Sequence, residues 1–360
     1  MKKIIALLII ISALLSLISC GDKYPPVEST EEEAAVLITV TADGKSYDVK
    51  YELYRAFFLK EKDEVDGGDE SVWSGSERDE YIAKINEIII PEITNIYATI
   101  RLAEKIGVDF NSKEVEDTVE ELIDISVNSG TYADDIIGGH GSYDNYLEAL
   151  KKKGFNYSAH ILMYHYAIAQ SKIAEYYIGT LDTDSITPDS TPGNLEYTKD
   201  DVREYYYSDE CVRVLCAFIQ KGFGKAYADK VRSEILKIYG DEEVGHYIVD
   251  HTTASPEEGI GGMLVGRHSL DAVYYSELTE TAFSLSLGEV SDVLKIDNYH
   301  ILYRAEKSQE HFENYYYSVL DSYLNNEIGK MINDLAVEMT ESISYTDVYR
   351  SLNHASISMN

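Results

Sequence analysis

Basic residues are scarce in this chain of 360 residues. It carries 31 Lys and Arg against 64 Asp and Glu, a formal net charge of −33. Proteins that bind nucleic acid neutralise phosphates with Lys and Arg, so this balance argues against nucleic acid as a partner. The same negative charge disfavours docking of the protein surface on anionic lipid.

Cysteine is also scarce, with three in the chain. Cys211 and Cys216 lie in one segment that predicts a β-strand. Five residues of strand cover about 16 Å and place the two side chains on opposite faces. A disulfide needs Cα atoms within about 7 Å of each other. We therefore expect no disulfide within the chain, and stability must come from packing.

Long apolar runs are lacking after residue 20. Before it, residues 4–18 are apolar apart from two serines, and Lys2 and Lys3 precede them. That run is shorter than the roughly 20 residues of a membrane-spanning helix. It ends in the letters LISC, which resemble the lipobox of a bacterial lipoprotein. The resemblance implies that residues 1–19 are a cleaved signal peptide and that Cys20 carries the lipid. The alternative is an uncleaved anchor.

The remaining composition is sufficient for folded domains. A hydrophobic content of 44% argues against wholesale disorder. A single core usually serves no more than about 250–300 residues, so we expect two domains. Residues 182–196, rich in Pro, Ser, Thr and Asp, mark the predicted boundary. The chain also has 31 tyrosines, which suit cores and binding faces alike, although a compositional bias explains them equally well.

The segment before this boundary is predicted to be mainly helical. A polar tether over residues 20–33 leads to a strand, a turn and a helix over residues 49–62. A long helical pattern covers residues 79–106, and Pro91 is expected to kink or break it. Further helices are predicted from Asn111, over residues 143–153 and over residues 158–177.

The segment after the boundary mixes strands and helices. Thr198 is predicted to cap a short helix, with Asp201 at the third position. A strand over residues 212–220, a helix over residues 225–239, a looser segment and a terminal strand near residues 299–304 predict a small α+β domain. An amphipathic helix from residue 309 to about 341 is expected to pack back on the N-terminal helices.

Residues 265–306 resemble the second half of a parvulin-type peptidyl-prolyl isomerase domain. The matching elements are Gly261-Gly262 with Leu264, Ala282-Phe283, Gly288-Glu289-Val290-Ser291 and Tyr299-His300-Ile301-Leu302. With the lipobox and the flanking helical segments, the whole chain resembles the PrsA-type foldase lipoproteins. Its N-terminal part is similar to the chaperone domain of SurA.

This resemblance implies an α+β fold, with a mainly helical SurA/PrsA-like chaperone domain and an inserted parvulin-like domain. The chaperone domain would comprise residues 34–181 and 307–360, and the parvulin-like domain residues 197–306. Residues 182–196 would be the linker between them.

The resemblance also implies a site. Parvulins hold proline in an apolar pocket beside two histidines on adjacent central strands and a nearby Cys or Asp. His300 matches the second histidine, and Cys216 (or Ala217) stands where the first is expected. Leu278 and Phe283 match pocket positions. Tyr274 is the candidate for the methionine position, with Leu270 as the alternative.

The chain departs from the parvulin pattern in two places. No histidine occurs in the strand that carries Cys216. The Cys or Asp position falls on Thr253 or Ala254, and Asp250 replaces it only if the loop shifts. His300 is therefore either a catalytic residue or a histidine retained for packing.

No metal or cofactor is predicted. His246 and His251 are five residues apart, about 140° around a helix, unlike the i, i+4 pair of zinc sites; His160 and His165 have the same spacing. Cys216 lacks a histidine partner visible in the sequence, so a small buried side chain is favoured over a nucleophile.

The sequence thus predicts an extracytoplasmic, lipid-anchored foldase that acts on unfolded or newly secreted polypeptides. A homodimer is compatible with it. The first alternative is an inactive holdase or scaffold with a degenerate parvulin domain. A remote alternative is the solute-binding lipoprotein of a transporter, which would need two α/β lobes.

Overall fold

The computed structural model describes residues 24–67, 69–128, 140–179, 193–253, 261–269, 276–296 and 298–357. It combines helices and sheets, an α+β protein. The chain divides into two compact units. The first unit comprises Met1–Ile173 and Ile332–Asn360, and the second unit is Ala174–Met331. Residues 1–19, predicted to be a signal peptide, and Cys20 lie outside the described residues.

The first unit begins with a β-hairpin and continues with helices. Its elements are β1 (Val36–Ala42), β2 (Lys45–Lys50), α1 (Tyr51–Asp66), α2 (Arg78–Lys105), α3 (Lys113–Asn128), α4 (Tyr143–Lys152) and α5 (Tyr157–Tyr177). In the hairpin turn, Asp43 and Gly44 have φ angles of 50° and 72°. Left-handed residues at both positions match the twist of a two-residue hairpin, which confirms the predicted turn.

Helix α2 corrects one prediction. It continues from Arg78 to Lys105 through Pro91, so of the kink or break predicted there, the break is absent. An interior proline costs about 3 kcal/mol because it removes one backbone hydrogen bond. Ile85 and Ile89 before Pro91 and Ile93 after it are buried, and their packing keeps both halves helical.

Residues 24–33 differ from the free tether that the sequence predicts. Tyr24 is 8% exposed and packs in the core formed by α3, α4 and α5. Its hydroxyl donates to Asp124 Oδ1 at 2.6 Å. Tyrosine combines an apolar ring with a polar tip, and both are used here. From Tyr24 onward, this segment is part of the first unit.

The second unit contains a four-stranded antiparallel sheet in the order β4-β3-β6-β5. Its elements are α6 (Lys199–Tyr207), β3 (Cys211–Ile219), α7 (Lys225–Ile235), α8 (Asp241–His251), β4 (Met263–Gly266), α9 (Ser276–Ser284), β5 (Leu294–Ile296), β6 (Asn298–Ala305), α10 (Gln309–Asn314) and α11 (Tyr316–Glu341). The sequence missed α8, which begins with the acidic residues Asp241, Glu242 and Glu243. Acidic side chains favour a helix N-terminus.

Each face of this sheet has its own core. Leu215, Ala217 and Ile219 of β3 pack with residues of α7 and α8. Val212 and Val214 pack on the opposite face with Leu278 and Ala282 of α9. The alternation follows from the two-residue period of a strand.

A third buried cluster joins the first helix of the second unit to its last two helices. Val202 and Tyr206 of α6 pack with Phe312 of α10 and with Val319, Leu320 and Leu324 of α11. Ile178 and Leu195 pack against this cluster as well. The boundaries between the two compact units fall inside α5, after Ile173, and inside α11, after Met331. Most of the predicted linker over residues 182–196 lies outside the described residues.

The final residues of α11 and the segment after it belong to the first unit. Strand β7 (Ser344–Tyr345) pairs with β1, and α12 (Asp347–Ser351) follows. The Ser342 hydroxyl donates to the carbonyl of Thr41 at 2.8 Å. The single helix predicted from residue 309 to about 341 is in fact two helices, because Tyr315 separates α10 from α11.

Candidate functional site

Strands β3 and β6 lie side by side in the centre of the sheet and carry the two polar candidates. In their antiparallel register, Cys216 faces Leu302 and Phe218 faces His300. Directly opposed residues share a face, so Cys216 and His300 are diagonal neighbours on one face. Cys216 Sγ lies 3.9 Å from His300 Nδ1. Two residues that are 84 positions apart thus form a pair.

His300 is held in place by its second ring nitrogen. Nε2 lies 3.3 Å from the carbonyl oxygen of Ile296, so a proton on Nε2 is donated to that carbonyl. With this tautomer, Nδ1 is left as an acceptor facing the thiol of Cys216. The Phe218 ring stands edge-on to the imidazole, with centroids 5.1 Å apart. His300 is 8% exposed, and Cys216 is half-buried.

An apolar wall adjoins the pair. Leu278 is buried on α9, and the half-buried Phe283 packs against the same cluster as Cys216. Leu294 and Leu302 are buried in the same cluster. The structure therefore brings Cys216 and His300 to the sheet face that carries both described pocket candidates.

The remaining candidates do not join this group. Tyr274 and its alternative Leu270 lie outside the described residues, as does Ala254. Ala217 points to the opposite face of the sheet. Asp250 is exposed on α8.

Thr253 has a structural role. Its backbone N–H donates to the carbonyl of Phe218 at 2.9 Å, and its hydroxyl accepts from the N–H of Gln220 at 2.6 Å. Thr252 donates its hydroxyl to the same Phe218 carbonyl at 2.9 Å. The threonines therefore fix the end of β3, close in sequence to Cys216.

Two residues that contact the site, Phe218 and Arg267, were not predicted from the sequence. Phe218 follows Cys216 by two residues, and this strand period could have placed it on the same face. Arg267 lies beyond β4, with its guanidinium carbon 4.1 Å from the centre of the Phe283 ring. A guanidinium stacks well on an aromatic ring, so Arg267 covers part of Phe283.

A buried polar network stabilises the sheet around Arg213, which lies three residues before Cys216 on β3 and so on the opposite face. The carbonyl of Gly261 accepts from Arg213 Nε at 2.8 Å and lies 2.9 Å from His311 Nε2. Burial, followed by the nearby charge of Arg213, lowers the pKa of His311 to about 4. Gly262 follows with a φ of 74°, and a Cβ there would lie 2.6 Å from the Val214 carbonyl. Only glycine fits at this start of β4.

Cys211 shows how the opposite face differs. Burial raises the pKa of its thiol to about 11. A thiol held in the neutral form is unreactive. The two cysteines do lie on opposite faces, as predicted, and the one beside a histidine is Cys216.

Within the described ranges, no helix is both long and apolar enough to cross a membrane.

Comparisons with known proteins assign the chain to no family. No protein-family model matches the chain, and no curated protein matches it. Among solved structures, it is similar to PrsA from Bacillus subtilis, with a TM-score of 0.25 and 15% identity over 77% of this chain and 93% of that one. It is also similar to the foldase protein PrsA from Streptococcus pneumoniae str. Canada MDR_19A, with a TM-score of 0.27 and 14% identity over 85% of this chain and 93% of that one. TM-scores of this size do not establish a shared fold, so the function has to be argued from the site.

Proposed function

We propose that this chain is an extracytoplasmic foldase, anchored by a lipid on Cys20, whose second unit binds X–Pro segments of unfolded or newly secreted polypeptides and isomerises them. The observation that carries the proposal is the contact between Cys216 and His300, 3.9 Å apart on the sheet face that bears Leu278 and Phe283. It places a polar pair beside an apolar cluster whose partly exposed members include Cys216 and Phe283.

The reaction requires no covalent step. Rotation about a peptide bond crosses a barrier of about 18–20 kcal/mol because amide resonance is lost. In the twisted amide, the nitrogen lone pair is no longer delocalised and can accept a hydrogen bond. A site accelerates rotation only by interactions that are stronger in this twisted state than in the planar one.

Each described site residue has a part in this scheme. Leu278 and Phe283 would bind the proline ring by excluding water. The Cys216 S–H, which points at His300 Nδ1 in the free protein, would donate to the amide nitrogen as it loses planarity, since the His300 Nε2–H is already donated to the Ile296 carbonyl. Phe218 and the Ile296 carbonyl position the imidazole.

The test is a proline-isomerisation assay on the chain lacking residues 1–20, with a panel of X–Pro peptides. We expect acceleration over the spontaneous rate, lowered about five- to tenfold in His300→Ala and in Cys216→Ala, since one lost hydrogen bond in the transition state is worth about 1–1.5 kcal/mol. Matched controls are His246→Ala, an exposed histidine of α8, and Cys211→Ala on the opposite sheet face.

A catalytically inactive holdase is the second candidate. Its support is that Cys216 stands in place of the first parvulin histidine and that the Thr253 hydroxyl is engaged with the backbone. A folded protein that shows no acceleration, but suppresses aggregation of an unfolded client equally well with and without His300→Ala, would overturn the isomerase and favour the holdase.

A further inference from the structure

Tyr24 is fixed to the first unit by three contacts. Its hydroxyl donates to Asp124 Oδ1 at 2.6 Å and accepts from Asn128 Nδ2 at 3.0 Å. Its ring centre lies 5.2 Å from that of Tyr143. With 8% of its surface exposed, Tyr24 is a core residue at the place where the C-terminal end of α3 meets the N-terminal end of α4.

The residues after Tyr24 are fixed as well. The Tyr143 hydroxyl donates to the carbonyl of Pro25 at 2.7 Å. The Ser29 hydroxyl donates to Glu52, a carboxylate that is 4% exposed and also accepts from Asn156 Nδ2 at 2.7 Å. A carboxylate buried to this extent needs such partners. Residues 24–33 are therefore attached to the folded unit and do not lengthen the connection between Cys20 and that unit.

The free length follows from chain geometry. Four Cα steps separate Cys20 from Tyr24, and an extended chain spans about 14 Å over them. A tether that was free to residue 34 would span up to about 50 Å. A lipid on Cys20 sits at the membrane surface, so Tyr24 must lie within about 14 Å of it.

We propose that Tyr24 is a docking point that holds the first unit against the lipid headgroups, with the edge formed by the end of α3 and the start of α4 facing the bilayer. This inference rests on the lipid anchor in the proposed function. The short connection enforces the contact covalently, against the repulsion between an acidic protein and anionic lipid. The edge around Tyr24 is then closed to clients, which must approach the unit from its other sides.

The experiment measures energy transfer from the full-length lipidated protein to the membrane. The donor fluorophore is attached through Asp144→Cys, an exposed position next to Tyr143, in a Cys216→Ala background. Cys211 is fully buried and remains unlabelled. The acceptor is a rhodamine-headgroup lipid in vesicles of phosphatidylglycerol and phosphatidylethanolamine.

Three proteins are compared: the labelled protein, the same protein with 20 Gly and Ser residues inserted between Lys23 and Tyr24, and a control with the same insert after Asn360. A flexible insert of this length has an end-to-end distance of about 25 Å. We expect transfer to fall in the first insertion variant and to stay unchanged in the control.

The other outcomes count against the inference in different ways. Equal transfer in all three proteins, each with lipid on Cys20 by mass spectrometry and each bound to vesicles, overturns the docking role of Tyr24 and leaves the anchor intact. A Cys20 without lipid overturns the anchor itself, and the docking inference with it.

Discussion

His160 is a histidine that the fold keeps neutral. It is 4% exposed on α5, its ring centre lies 4.4 Å from that of Tyr164, and among the described residues neither ring nitrogen has a hydrogen-bond partner. Burial, followed by the nearby His140, lowers its pKa to about 3 from an ordinary value of 6.5. A charged imidazole in this apolar surrounding would be costly.

The lowered pKa of His160 makes the stability of the first unit sensitive to acid. Between pH 6.5 and about 3 the unfolded chain binds a proton at residue 160 that the folded chain does not, so stability falls as the pH is lowered through this window. The slope from one such group reaches about 1.4 kcal/mol per pH unit. His160→Phe should flatten the dependence of the free energy of unfolding on pH between 6.5 and 4.

Trp73, a buried residue of the same unit, is the reporter in denaturant titrations of this variant. His246→Phe, at an exposed position of the second unit, is the matched control and should leave the slope unchanged. Burial also lowers the pKa of His165 and of His354, so part of the acid sensitivity remains in the variant. An unaltered slope in His160→Phe would show that His160 is not the source.

Among the helices and strands, the sequence predicts those hydrogen bonds that join residues a few positions apart. Thr198 and Asp201 form the predicted capping box at the start of α6, with both reciprocal hydrogen bonds present. The helix predicted from Asn111 begins at Lys113, and the Ser112 hydroxyl before it accepts from the N–H of Val115 at 3.4 Å. Such interactions join neighbours in the chain, so the sequence contains both partners.

Gly329 is a glycine that a tertiary contact requires and that its neighbours in the sequence do not predict. It lies in the middle of α11, where glycine is unfavourable by about 1 kcal/mol relative to alanine. A Cβ built on it would overlap the carbonyl oxygen of His268, in the segment after β4. The close approach of this segment to the helix is the reason for glycine at this position.

Gly329→Ala should therefore destabilise the second unit by about 3 kcal/mol or more, although alanine is the better helix former, because the helix or the His268 segment must move. Gly222→Ala is the control, because a Cβ there would meet nothing within 4 Å. Urea titrations compare the two free energies of unfolding. A gain in stability for Gly329→Ala would contradict the close contact.

At the scale of the whole molecule, negative charge dominates. With a net charge of −33, like-charge repulsion opposes the compact state, and added salt screens charges that are more than about 10 Å apart at 0.1 M. Most described ion pairs are solvent-exposed and contribute little that salt could remove.

The melting temperature of the chain lacking residues 1–20 should therefore rise by several degrees between 10 mM and 200 mM NaCl. KCl at the same ionic strength should act alike, because screening depends on charge rather than on the identity of the cation. A melting temperature that is constant or falls over this range would mean that the surface ion pairs outweigh the net repulsion.

Features that depend on composition or on short spacing were predictable from the amino-acid sequence. These include the acidity, the two-unit size, the hairpin turn at Asp43 and Gly44, the opposite faces of Cys211 and Cys216, and the strand that carries His300. Each follows from residue counts or from the period of a single element.

Features that join distant parts of the chain required knowledge of the folded protein. The 3.9 Å contact between Cys216 and His300 depends on the register of β3 and β6, and the burial of Tyr24 depends on where α3 and α4 meet. The continuation of α2 through Pro91 depends on buried isoleucines on both sides of it. In each case the deciding energy comes from burial against residues far away in sequence, which no local pattern contains.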